Sequence, residues 1–173
     1  GNYLVKRGVY GNQEEIATQL FKRFDQSKGA VDDALAKLPG EYKLKPAGTA
    51  LRMLLAREKS ISTPGAPSKD LGKVAELLTK YNKKGLNMTE LNEAKRIFER
   101  NVKMDYVKQN LPMKVEQANI IDSAIRKWQQ EKATALGFKG LKSLNRETML
   151  AKRLMDDIGR EYAGIGANNM ITL

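Results

Sequence analysis

The sequence has no cysteine and no histidine among its 173 residues. The first absence excludes a disulfide framework, and the two together exclude zinc sites of the Cys/His kind. Neither a Ser-His-Asp nor a Cys-His nucleophile can be assembled. The commonest proton-transfer group near neutral pH is missing too. Aromatics are scarce, at 6%, and prolines number 5. With Leu, Ala, Lys and Glu plentiful, that balance favours helix over sheet. Long apolar runs are also lacking. Stretches such as Met53-Leu54-Leu55-Ala56 fall far short of the ~20 residues that span a bilayer, so no membrane span is expected. No secretory signal pattern opens the sequence.

What is present is a globular composition. Hydrophobic residues make up 41% and charged residues 29%, and a chain of this length buries roughly two-thirds of its unfolded surface. Lys and Arg exceed Asp and Glu by 31 to 20, a net charge of +11. An excess of that size invites a nucleic-acid partner. It is spread evenly, however: +4 over 1–68, +4 over 69–111 and +3 over 112–173. No basic tail concentrates it.

Hydrophobic spacing predicts six or seven helices and no convincing strand. Asn12 and Glu15 have capping-box spacing, and Ile16, Leu20, Phe21 and Phe24 give an amphipathic helix over 12–27, ended by Gly29. A short helix over 30–38 stops at Pro39-Gly40. Pro46 opens a third, to Ser60, with Ala47, Ala50, Leu51, Leu54 and Leu55 as its stripe. The stretch 60–68, with two prolines, a glycine and four hydroxyl residues, reads as a linker. It divides an N-terminal helical region, 1–59, from a C-terminal bundle, 69–173. Ser68 is placed as the cap of a helix over 69–84, which Gly85 ends. Thr89 starts a helix to Gln109, and Pro112 one to Leu136, where Gly137 closes it. Asn145 to Tyr162 is the last. The overall reading is all-α, a bundle or array.

Candidate chemistry is thin. Asp32-Asp33 and Asp156-Asp157 are adjacent acidic pairs, but neighbours on a helix point about 100° apart and do not converge on one ion. Tyr162, with Asp156 and Asp157, would be the candidate of an enzymatic reading. Basic clusters are better populated. Lys80, Lys83 and Lys84 flank Tyr81, an arrangement that could hold single-stranded nucleic acid by charge and stacking, although Tyr81 falls on the apolar stripe. Lys95, Arg96, Arg100 and Lys103 share a helix and could lie along phosphates. Glu99 and Lys103, and Arg96 and Glu99, have salt-bridge spacing, which points instead to a solvated face. Gly137-Phe138-Lys139-Gly140 has the spacing of a GXXG loop but not its βααβ setting. Trp128 lies with Ile121 and Ile125 and reads as packing.

The segment KDLGKVAELLTKYNKKGLNMTELNEAKRIFERNVKMDYVKQ (69–109) resembles a helical segment of very large proteins of bacteriophages and related mobile elements. VEQANIIDSAIRKWQQEKATALGF (115–138) has the same look, and the resemblance extends over about 60–160. It brings no catalytic residues. It implies a module of a long phage-type chain, packaged or ejected with the virion, and a location in the virion or the host cytoplasm. The start at Gly1 and the uncapped ending fit a fragment of such a chain. The expectation from sequence is therefore a non-enzymatic structural or interaction module. It would have no cofactor and no metal, with other subunits or sister segments as partners. The alternative is a basic helical nucleic-acid-binding domain.

Overall fold

A computed structural model describes residues 12–171, with side chains at 12 and 14–158. The fold is all-α. Helix α1 spans Gln13–Ala36, α2 Lys45–Ile61, α3 Leu71–Lys84 and α4 Met88–Phe98. A π-helical turn, Glu99–Lys103, joins α4 to α5, Met104–Lys108; then come α6, Pro112–Ala135, and α7, Leu141–Ile171. Counting 88–108 as one interrupted helix gives six. Among the described residues only two isolated β-bridges occur, Tyr42 with Leu86 and Thr63 with Ala66.

The chain divides into two compact units, one of residues 1–34 with 139–173 and the other of residues 35–138. In the first unit, Leu20, Val31 and Ala34 of α1 and Leu141 and Ala151 of α7 are buried. Asn12 caps α1 as its spacing predicts: the Glu15 N–H donates to Asn12 Oδ1 at 3.0 Å and the Asn12 N–H to Glu15 Oε2 at 3.2 Å. Gly29 does not end the helix. The buried positions Leu20, Val31 and Leu35 continue one stripe across it. A glycine inside a helix costs only about 1 kcal/mol, less than the burial of two branched side chains returns.

The second unit is built on α2, which packs against α3, α4, α6 and the π turn. Its inner face is small and tight: Ala47, Ala50, Leu51 and Leu54 have no exposed surface. The Tyr81 ring lies where a β-carbon on Gly48 would stand, and its hydroxyl donates to the Leu44 carbonyl at 3.1 Å. Tyr81 is thus packed, as its place on the stripe predicts. Phe98, Leu91, Met88 and Ile125 fill the interior from α4 and α6. Trp128 meets Tyr42 edge-on, with ring centroids 4.9 Å apart.

The loop 60–68 lies inside this second unit rather than between units. It is tied down locally: Thr63 and Ala66 exchange backbone hydrogen bonds, and the Ser68 N–H donates to Ser62 Oγ at 2.8 Å. Turn-rich composition marks a reversal of direction equally well within a unit and between units, which is why it misled as a boundary. Ser68 is not the cap of α3. Asp70 occupies that position without a side-chain cap bond, because its carboxylate accepts from Asn101 at 2.8 Å instead. Helix α4 starts one residue before Thr89, on a capping box between Asn87 and Glu90.

Candidate functional site

The feature with most chemical content is a group of four charged side chains where α4, the π turn and α6 meet. Lys95 and Glu99 come from 88–103, and Asp122 and Arg126 from α6. Asp122 is 2% exposed. It sits on the core-facing row of α6 with Ala118, Ile125 and Gln129, so the helical period that buries its neighbours buries it as well. Arg126 Nη2 donates to Asp122 Oδ2 at 3.0 Å and to Glu99 Oε1 at 3.5 Å. Lys95 Nζ donates to Glu99 Oε1 at 3.3 Å. Asp122 Oδ1 is buried and meets no hydrogen-bond donor.

The two carboxyl groups behave oppositely. Burial pushes the Asp122 carboxyl up to about 7, helped by its hydrogen bond to Glu99 and by the charge of Glu99; Lys95 and Arg126 oppose the shift without cancelling it. Burial acts to raise Glu99 as well. There, however, the hydrogen bond from Asp122 and the charges of Lys95 and Arg126 prevail and hold it down at about 2. One carboxylate ionised and its neighbour protonated at mildly acid pH is what close like charges require. Glu99 opens the π turn, which packs against α6. No group of three potential metal-ligating residues occurs among the described residues.

The basic residues singled out from the sequence differ in exposure and in partners. Lys80 Nζ contacts Glu90 Oε1 at 2.6 Å, and that hydrogen bond, weakly opposed by burial, raises the Lys80 pKa. Lys84 lies 3.6 Å from Glu41, and Arg100 lies 3.4 Å from Asp70. Lys83 is exposed, while Arg96 and Lys103 are half-buried. Lys95 is buried in the cluster just described, where no phosphate reaches it. The expected row Lys95, Arg96, Arg100, Lys103 assumes a uniform 3.6-residue period, and the π turn at 99–103 breaks that phase.

Asp33, Asp156 and Asp157 are exposed and Asp32 half-buried. Asp32 and Asp33 stand within α1 instead of opening a helix of their own. Tyr162 lies outside the residues whose side chains are described. Gly137 ends α6 as predicted, with φ 96°, and the Phe138 N–H closes the cap on the Ala133 carbonyl at 2.8 Å. Sequence reasoning missed Asp122 and Glu99. The available signal was a carboxylate four residues after Ala118 and three before Ile125, on an otherwise apolar row.

In comparison with known proteins, the chain matches no family model, no curated protein and no solved structure.

Proposed function

We propose that this chain is a non-enzymatic helical packing module, one that lays exposed helical faces against partner subunits or sister segments. The observation that carries this reading is α5. This short helix buries none of its five residues and presents Met104 and Val107, one helical turn apart, to the outside. The helix packed against it, α6, continues the pattern on its outer face. Met113 is 77% and Ile120 63% exposed, seven residues apart and so in one row. Outward apolar rows on consecutive helices are the usual mark of a protein contact. We propose further that the module belongs to a virion-associated chain, a reading that rests on the sequence resemblance of 69–109 and 115–138 to segments of very large phage proteins.

Sedimentation velocity of the full chain tests the packing role. The wild type is expected to self-associate with rising concentration, standing in for sister segments. The double variant Val107→Glu with Met113→Glu is expected to remain monomeric with an unchanged far-ultraviolet spectrum, since both sites are exposed. A wild type that stays monomeric at the highest attainable concentration would overturn the reading. Mass spectrometry of purified particles tests the placement, which fails if the chain is confined to the host lysate.

A further inference from the structure

Helix α2 carries Lys45, Arg52 and Lys59, all exposed, at intervals of seven residues. Seven residues advance a helix by about 10.5 Å and rotate the side chain by only about 20°. The three cations therefore stand in one row about 21 Å long. The residues between them on that face, Thr49, Met53 and Ala56, are uncharged. The single acid of the helix, Glu58, is 1% exposed and bonded to Arg57. Two further carboxylates come close to the ends of α2, and each is engaged elsewhere. Glu41 lies by Lys84, and Asp105 accepts from Arg57 at 2.5 Å. No ion pair involves Lys45, Arg52 or Lys59 among the described residues. Unlike Lys73, Lys80, Lys84 and Lys95, which each face a glutamate, these three charges are uncompensated, and the helix beneath them packs against α3 and α6.

We propose that this face of α2 is a docking surface for the phosphate backbone of duplex nucleic acid. A duplex offers about one negative charge per 1.7 Å of axis, so a rigid row of three cations finds phosphates along its whole length. Helix α2 contains no aromatic residue, so it offers no stacking platform for unpaired bases. Its only exposed arginine, Arg52, stands between two lysines that meet phosphates as point charges. Binding is therefore to the backbone and indifferent to sequence. This inference is independent of the packing role proposed for α5 and α6, and each stands if the other fails.

Fluorescence anisotropy with a labelled mixed-sequence DNA duplex, read against salt, tests it on the full chain. Lys45→Gln with Arg52→Gln and Lys59→Gln is compared with an equal loss of charge elsewhere, Lys83→Gln with Lys108→Gln and Lys127→Gln. Three phosphate contacts contribute about 2.7 to the slope of log affinity against log salt. Between about 50 and about 200 mM salt the wild type should accordingly lose about 40-fold more affinity than the α2 variant. The second variant should keep the wild-type slope. Equal effects of the two variants would reduce the binding to diffuse charge and overturn the proposal. So would no duplex binding at the lowest salt, or tighter binding to the single strand or to phosphatidylserine vesicles than to the duplex.

Discussion

Replacing Gly85 with alanine is expected to lower the unfolding free energy by about 4 kcal/mol, and the midpoint of thermal unfolding by roughly 10 °C. Gly85 follows α3 with φ 90° and ψ −177°, a region essentially reserved for glycine. A β-carbon there would stand 2.6 Å from the carbonyl carbon and oxygen of Tyr42 and 2.8 Å from its nitrogen. Those atoms are backbone, so no rotamer change relieves the collision. They are also held in place. The Tyr42 N–H donates to the Leu86 carbonyl at 2.8 Å and the Leu86 N–H to the Tyr42 carbonyl at 2.9 Å. This reciprocal pair ties the segment entering α2 to the turn between α3 and α4, and Leu86 itself has no exposed surface. Two controls separate the causes. Gly65 has φ 83° with nothing within 4 Å, so Gly65→Ala keeps the strain, removes the collision and should cost only about 1 kcal/mol. Gly72→Ala, in α3 with open space around it, should be neutral or gain up to about 1 kcal/mol. Denaturant unfolding followed by Trp128 fluorescence, which senses Tyr42 directly, measures all three. A Gly85→Ala variant no less stable than Gly65→Ala would refute the collision argument.

The contrast between Gly85 and Asp122 shows what the sequence makes legible. Gly85 is readable as a helix stop from local signals, since Lys83, Lys84, Gly and Leu86 follow the order a helix end prefers. The helices themselves follow from apolar spacing, which is why α2, α3 and α6 fall within two residues of expectation. Gly29 failed as a stop because a stop is a local preference, and the buried stripe on either side of it outweighs that preference. The π turn left no local mark. Its residues, Glu99 to Lys103, have ordinary helical composition. The same gap hid the charged cluster. Lys95 reads as part of a basic row and Glu99 as a surface partner of Arg96 and Lys103, and nothing within 88–108 announces that α6 will cover them. Asp122 and Gln129 were the visible anomaly, polar residues on a core row, but their partners lie on a helix more than twenty positions away.

Asp122→Asn is expected to change the pH dependence of stability more than any other conservative substitution in the second unit. The sign follows from proton counting. The Asp122 carboxyl, buried beside Glu99, titrates at about 7 in the folded chain, but near its ordinary value of about 3.9 once unfolded. Between those values the folded chain holds a proton that the unfolded chain has released, so stability falls as pH rises, by up to about 1.4 kcal/mol per unit. Glu99 acts in the opposite sense. It titrates at about 2 when folded and near about 4.3 when unfolded, so its contribution is present above about pH 4.3 and is lost as pH falls toward 2. The pair therefore places its own optimum near pH 4 to 5, below the range where most proteins are steadiest. Asparagine supplies an N–H donor to Glu99 at every pH and never ionises. The variant should match the wild type near pH 5 and exceed it by on the order of 3 kcal/mol at pH 8. Arg126→Ala should do the reverse, because it leaves Glu99 with Lys95 as its only cation and strips Asp122 of its one favourable charge on α6. It should destabilise by about 3 kcal/mol at pH 8 and by less at pH 5, where Asp122 is neutral. Urea unfolding of the three proteins at both pH values decides the matter. If Asp122→Asn and the wild type track each other from pH 5 to pH 8, the proton does not reside on Asp122. The cluster would then be an ordinary pair of salt bridges, with Arg126 shared between two ionised carboxylates.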